Sequence, residues 1–525
     1  MAVNRRRFLQ LGAASAAAVA AGASLTGAAR FPAPRWRGAD PFGLGVASGD
    51  PTPDGVVLWT RLAPDPLAPD GHGGMFAAPV TVDYEVSRDE GFRDVVRRGS
   101  AVADRSLAHT VHPEITGLAP DRWYFYRFRA GAAISPIGRT RTAPAAGAPT
   151  DRLRFAFASC QSWSAGYYTA YNHMAAEDLD LVLHLGDYIY ETGWRRGRVG
   201  MTMGMDADED YDLRDYRLSY AQYKSEAPLR AAHAAFPWIV TMDDHEIDNN
   251  WAGNSPGLGL DIYRIPPLFR RRRAAALRAM YEHQPLRLAQ LPHGPDMRLH
   301  RRYRFGDLAE ITMLDTRQYR TAQACGDAPA ADCPARRAGD RTILGGAQRD
   351  WLIDGFADSA ARWQVIGNQV ALGQLDNDPG PGLRVSTDAW DGYLADRDAV
   401  LGAAAARGVR NLVVLTGDRH HTIAGDLHRD PADPGSPVIG TEFIGTSITT
   451  GGDGAEMTDT GRTLLAANPA LKYFDGRRGY VRVSVDHRLW RSDLRVVPYI
   501  SRPGAPVTTA ATFVVDDDKP GIERD

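Results

Sequence analysis

Three cysteines in 525 residues are too few for a scaffold held together by disulfides. Positive charge is not in excess either. Sixty-one Lys and Arg face 64 Asp and Glu, a formal net charge of −3, which argues against nucleic acid as a main partner. Past the N-terminal segment, no stretch approaches the roughly 18–20 consecutive apolar residues of a membrane span. Several catalytic signatures are missing. Ser164, in SWSAG, lacks the leading glycine of a Gly-x-Ser-x-Gly elbow, the residue four after His245 is Asn249 rather than a second histidine, and there is no Walker A loop. These absences set aside elbow-type serine hydrolases, zincins and P-loop NTPases. There is no internal repeat, and the 53 glycines follow no triplet period. What is present is an ordinary globular composition, 44% hydrophobic and 24% charged. The chain is long enough for one large domain and a smaller one around sizeable cores.

Residues 1–29 read as a targeting segment. Arg5, Arg6 and Arg7 precede Phe8 and Leu9, then a weakly apolar Ala/Gly stretch ends in small residues at Thr26-Gly27-Ala28-Ala29. A basic start, an apolar middle and a small-residue cleavage site make a signal peptide. Paired arginines before Phe-Leu point to the Tat export machinery, which carries folded proteins. The alternatives are an ordinary secretory signal or a disordered basic tail. Removing the segment takes away three Arg and no acid, so the charge moves from −3 to −6. The expected location is outside the cytoplasmic membrane: periplasmic, wall-associated or extracellular. Cys325 and Cys333 bracket a short loop and can pair there. Cys160 is left over, either an inert buried thiol or a ligand.

From about 40 to 142 the pattern is short β-runs between turns. Val56–Thr60, Val80–Val86 and Trp123–Phe128 are rich in β-branched and aromatic residues. Leu118-Ala119-Pro120 with Tyr124 suggests the tyrosine corner of a small all-β sandwich of fibronectin-III or Ig type. Residues 143–150 are a small, Pro/Gly-rich linker. Beyond it, apolar strands alternate with helical stretches such as Arg270–Glu282 and Ala347–Asp358. This predicts an α/β domain over 151–521, with layered sheets and helices outside. The run Arg270–Arg273 reads as a solvent-facing helix start, with a phosphate-facing role as the alternative, and Met203–Asp212 as a solvated acidic loop.

The informative residues stand at the strand ends. One strand ends in Cys160. Others end in Gly186-Asp187-Tyr188-Ile189-Tyr190-Glu191, in Asp243-Asp244-His245-Glu246, in Gly367-Asn368-Gln369 and in Gly417-Asp418-Arg419-His420-His421. Any one of these can be a turn or a cap. Five together, at the strand ends where α/β sheets bind ligands, predict one crevice lined with metal donors. Asp187 and Tyr190 put a carboxylate and a phenol one turn apart. A phenolate is a hard donor that suits Fe(III), because a trivalent ion offsets the cost of removing a proton of pKa about 10. Cys160 would add a thiolate and His420 a neutral nitrogen. Asp187 is the natural bridge to a second cation, with Asp244, Asp418 and Asn368 supplying oxygen for Ca, Mg or Mn. Two cations about 3.5–4 Å apart can clamp a phosphate and activate water. His245 would then face the leaving group as an acid or hydrogen-bond donor. Tyr190 has the alternative of a plain core tyrosine. His184 and His421 have no assigned role.

These stretches, with YEHQPLR at 281–287, EFIGTSIT at 442–449 and ATFVVDDDKPG at 511–521, resemble the alkaline phosphatase D (PhoD-type) family of calcineurin-like metallophosphoesterases over nearly the whole chain. The resemblance implies a layered α-β-β-α catalytic domain after the sandwich, and a site holding Fe(III) with Ca(II). Its iron ligands would fall on Cys160, Asp187, Tyr190 and His420, and its calcium side on Asp187, Asp244 and Asp418. Asn368 transfers only as a secondary oxygen donor. Arg419 departs from the small apolar residue expected between the last two ligands, which puts access or substrate preference in play. The implied activity is hydrolysis of phosphate mono- and diesters by in-line attack of a metal-bound hydroxide, in a monomer. Two alternatives stand beside it: a phospholipase-D-like phosphodiesterase acting on phospholipid or teichoic-acid-like polymers, and a surface binding protein with a decayed metal site.

Overall fold

The computed structural model describes residues 39–191, 198–199, 211–257, 265–326, 329–331 and 333–525. The expected signal peptide and nearly all of the acidic loop 203–212 lie outside them. Two large sheets organise the described chain. In the 11-stranded sheet, Leu153–Ala158, Leu181–His184 and Pro237–Val240 run parallel and side by side. Arg478–Val485 continues the sheet antiparallel beyond Leu153–Ala158. In the seven-stranded sheet, Ala309–Met313, Trp363–Gly367, Leu412–Thr416 and Val438–Ile444 are the parallel neighbours. The central strands are buried along their whole length. That explains why they read as short continuous apolar runs rather than alternating ones.

The two-residue period of a strand sorts its side chains between two cores. Phe155, Phe157, Leu183 and Ile239 of the larger sheet meet Ile311, Val365, Val413 and Phe443 of the smaller in one cluster. The intervening Ala156, Val182 and Trp238 pack on the opposite face against Tyr171, Leu229 and Leu277. Those three sit on the helices Thr169–Ala175, Ala227–Ala235 and Pro266–His283. Behind the smaller sheet, Ile366 and Val414 meet Leu352 and Leu401, from the helices Gly345–Asp358 and Leu394–Ala406.

The N-terminal strands divide. Val80–Ser87, Val95–Ala103 and Trp123–Ala130 belong to a separate five-stranded sheet. Val46–Thr52 and Gly55–Arg61 do not: Val46–Thr52 pairs in parallel with Pro237–Val240 and so extends the 11-stranded sheet. The strand containing Val56–Thr60 is buried on both faces, which is why it joins the larger body. Val56 and Leu58 pack against Val82, Tyr126 and Phe128, whereas the Trp59 indole donates to the Glu282 carbonyl at 3.1 Å. The Tyr124 hydroxyl accepts from the Ala119 amide at 2.9 Å, closing the corner. Cys325 and Cys333 are disulfide-bonded.

The arginine run needs correction. Arg270 and Arg271 face solvent, but Arg272 and Arg273 are buried, since a helix turning every 3.6 residues carries them to the side of Phe269 and Ala276. Arg272 donates to the Tyr216 hydroxyl at 2.9 Å and meets Asp248 at 3.1 Å. Arg273 donates to the Gly253 carbonyl at 2.7 Å.

Candidate metal centre

The carboxyl ends of the parallel strands in both sheets come together. A single parallel bridge, Ser159 to Ser447, ties the end of Leu153–Ala158 to the segment after Val438–Ile444. Neighbouring turns are laced by backbone bonds, with the Cys160 amide donating to the Gly186 carbonyl at 3.2 Å and the Gln161 amide to the Asp187 carbonyl at 3.0 Å. Gly186 must be glycine: it holds φ +115°, and a Cβ there would lie 2.5 Å from the Cβ of Asp243.

Donor atoms of Cys160, Asp187 and His420 lie within 4.8 Å of one another, and so do those of Asp187, Asp244 and His245. Asp187 therefore belongs to both groups, as a bridge requires. The Tyr190 hydroxyl lies between Asp187 Oδ2, at 3.1 Å, and His420 Nε2, at 3.2 Å, and receives a bond from Thr450 Oγ1 at 2.8 Å. Cys160, Asp187, Asp418 and His420 all hold positive φ, between 55° and 62°. Non-glycine residues rarely take that conformation, and its concentration at one spot is the mark of a functional site.

The electrostatics fit a cation. Burial, then the Asp187 carboxylate, pushes the Cys160 thiol up. Burial, then Asp187 and Cys160, does the same to the Tyr190 phenol. Burial holds His420 down to about 3, so its imidazole is neutral, as a ligand must be. Asp187 is raised by burial and by its acidic neighbours. Asp418 is raised to about 6, by burial and then by Asp244. Asp243 Oδ2 and Asp244 Oδ1 are buried with no hydrogen-bond partner among the described residues. Thiol, phenol and carboxylates that resist ionising together are stabilised as anions only by positive charge at their focus.

The acidic run 243–250 divides its labour. Asp243 pairs with Arg317 Nε at 2.5 Å. Asp244 takes the Asn250 amide at 2.8 Å and lies 3.8 Å from Arg317. The Glu246 carboxylate accepts the backbone amides of Asp187, Tyr188 and Asp243 at 2.6–3.1 Å, and so fixes the turns at 187 and 243 against each other. His245 Nδ1 meets Glu191 Oε2 at 2.7 Å, and its ring stacks on Tyr190 at 4.1 Å. Burial opposes charge on His245, but Glu191, Asp244 and Asp187 outweigh it and raise the ring well above its ordinary range. Its Nε2 has no partner among the described residues.

The chain matches the PhoD-like phosphatase family over residues 155–494, and the N-terminal domain of the same family over residues 27–144. The chain belongs to the PhoD-like phosphatase family. It is 45% identical over 526 residues to alkaline phosphatase D of Bacillus subtilis (strain 168), covering 99% of this chain and 89% of that one. Its fold superposes on a solved structure of PhoD with a TM-score of 0.88 at 46% identity, covering 95% of this chain and 93% of that one. As a PhoD-like phosphatase it is a phosphoric ester hydrolase.

In this PhoD-like phosphatase, Cys160, Asp187, Tyr190, Asp244, His245 and His420 lie together at the strand ends. Asp418 lies close enough to Asp244 for each to act on the other's charge. Asn368 is held as a strut: its amide nitrogen donates to the Val370 carbonyl at 2.5 Å and to Thr416 Oγ1 at 3.4 Å, while its oxygen accepts from the Trp390 indole at 3.2 Å. His184 is fully buried, stacked on Trp238 and edge-on to Tyr188, a core residue. His421 packs against Phe474. Sequence reading missed Arg317, Thr450 and the role of Glu191. Glu191 stood in the same strand-end run and could have been paired with His245. Arg317 and Thr450 carry no local pattern.

Proposed function

We propose that the chain is an exported phosphomonoesterase and phosphodiesterase, that it works with Fe(III) and Ca(II), and that Asp187 is shared between them. The observation that carries this is the pair of donor groups meeting at Asp187. A thiol, a phenol and an imidazole surround one side, a set suited to Fe(III) through Cys160, Asp187, Tyr190 and His420. Carboxylates dominate the other, suited to Ca(II) through Asp187, Asp244 and Asp418. Asn368 keeps a secondary place, its oxygen having one lone pair left after Trp390. Bound there, the cations would offset the charge of the phosphoryl group and make water acidic enough to attack phosphorus in line with the leaving oxygen.

The protein's own groups do the rest. Glu191 holds His245 by Nδ1, which leaves Nε2 to carry a proton toward the leaving oxygen. Tyr190, stacked beneath the ring, restrains its tilt. Arg317 and the Asn250 amide fix Asp244.

The same reading takes the catalytic part, 151–521, as a layered α-β-β-α body, supported by the shared inter-sheet core and the helices packed outside it. It takes 40–142 as a small sandwich with one sheet continuous with that body, in a monomer. The twin-arginine segment supports delivery by the Tat machinery to the periplasm, wall or medium. A phospholipase-D-like action on phospholipid or teichoic-acid-like polymers uses the same chemistry. A binding protein with a decayed site is disfavoured by the complete donor set.

The test is metal analysis of natively exported protein, together with hydrolysis of a chromogenic monoester and diester. A visible tyrosinate-to-Fe(III) band should appear and vanish in Tyr190→Phe. Colourless, iron-free, fully active protein would remove iron from the reading. Hydrolysis of neither ester would remove the enzyme.

A further inference from the structure

Among the described residues, four arginines stand around the centre, and three of them are committed. Arg317 binds both oxygens of Asp388 at 2.8 Å as well as Asp243. Arg320 binds Asp388 Oδ1 at 2.8 Å and its carbonyl at 3.0 Å. Arg478 donates to the carbonyls of His420, Gly452 and Gly476. Arg419 is the exception. It lies between Asp418 and His420, with its half-buried side chain close enough to act on the charge of Asp418, His420 and His421. Its guanidinium has no hydrogen bond or ion pair among the described residues, and its Nε is buried without a partner. Asp388, which also acts on the charge of Asp418, is taken by Arg317 and Arg320. A buried donor without a partner beside an anion-processing centre is a binding group awaiting an acceptor.

We propose that Arg419 is a substrate-binding residue that grips the non-bridging oxygens of the phosphoryl group and tilts this enzyme toward monoesters. The proposal rests on the hydrolase reading of the site. Its physical basis is charge. The terminal phosphate of a monoester is a dianion at neutral and alkaline pH, whereas a diester carries one negative charge. A guanidinium can bind two phosphate oxygens in a fork, and such charge-assisted bonds strengthen with the charge of the acceptor. The product, inorganic phosphate, presents the same oxygens and should be held by the same group.

The experiment compares the parent with Arg419→Ala and Arg419→Lys on a chromogenic monoester and a chromogenic diester, with inorganic phosphate as competitive inhibitor and metal content measured alongside. Losing one or two bonds to a charged group should cut kcat/KM for the monoester by about 10–100-fold. The diester loss should be about tenfold smaller, and phosphate inhibition should weaken in step with the monoester loss. Arg419→Lys should recover part of the monoester rate, since it keeps the charge but not the fork. A role confined to positioning Asp418 and His420 would lower both esters alike, together with metal content. Equal losses on the two esters, or no loss on either, would overturn the assignment. A parent inactive on both would overturn the hydrolase reading with it.

Discussion

Replacing Glu191 by glutamine keeps the shape of the His245 partner and removes its charge. Both side chains are buried, and the contact is 2.7 Å. Glu191 also accepts the Asn249 amide at 2.8 Å through its other oxygen. A glutamine has one oxygen for these two donors, so one N–H is left facing an NH2 group. An orphaned buried donor costs about 1–3 kcal/mol, and replacing a charge-assisted bond by a neutral one about 1–2 kcal/mol more. The sum, about 2–5 kcal/mol, agrees with the general cost of breaking a buried ion pair. The His245 ring also loses the first group that raises it against burial, so less of it is charged and its orientation loosens. We expect kcat/KM to fall about 10–100-fold, against about 100–10,000-fold for His245→Asn. The decisive measurement is the double variant. If Glu191 acts through His245, the pair should be no slower than His245→Asn alone. Losses that multiply in the double variant, or a Glu191→Gln enzyme within twofold of the parent, would refute the dyad.

Three further expectations can be checked directly. Asp187→Ala should abolish hydrolysis of both esters and lower the content of both metals, because the residue belongs to both donor groups; a variant that binds metal and turns over normally contradicts the shared bridge. Arg317→Met strands Asp243 in the interior, while Asp388 keeps Arg320, and should destabilise the fold by about 3–5 kcal/mol; a melting temperature within ~2 °C of the parent would count against it. Burial holds His184 down to about 3. Because the folded ring resists the proton that the unfolded one accepts near pH 6.5, stability should be full above that value and decline as pH falls toward 3, by about 2 kcal/mol at pH 5 for this ring. Urea unfolding at pH 7 and pH 5 reads the slope, and His184→Phe should reduce it by this ring's share, the other buried histidines keeping theirs; a slope equal to the parent's would mean that the ring titrates in the folded state.

Much of the centre was legible because its donors come directly after short apolar strands, and parallel strands in α/β sheets deliver their carboxyl ends to one side. Asp187 with Tyr190, and Asp418 with His420, sit close in sequence for that reason. The supporting groups were not legible. Arg317 reaches Asp243 across 74 residues and Thr450 reaches Tyr190 across 260, and neither carries a local signature. Arg272 was misread because charge alone does not say which face of a helix it occupies. That Gly55–Arg61 continues into the 11-stranded sheet was not legible, because its sequence shows burial, not the sheet that it joins. Asn368 stood at the right strand end, but its amide went to Trp390 and Val370.

The insertion of Val46–Thr52 beside Pro237–Val240 has a consequence for how the molecule is assembled. That early segment cannot dock until nearly two hundred later residues have been made, so the leading portion waits for its neighbour instead of maturing by itself at the ribosome. Cutting the chain near the junction at 150 should therefore yield two fragments that are soluble and foldable only when mixed, rather than an autonomous front module and an autonomous hydrolase.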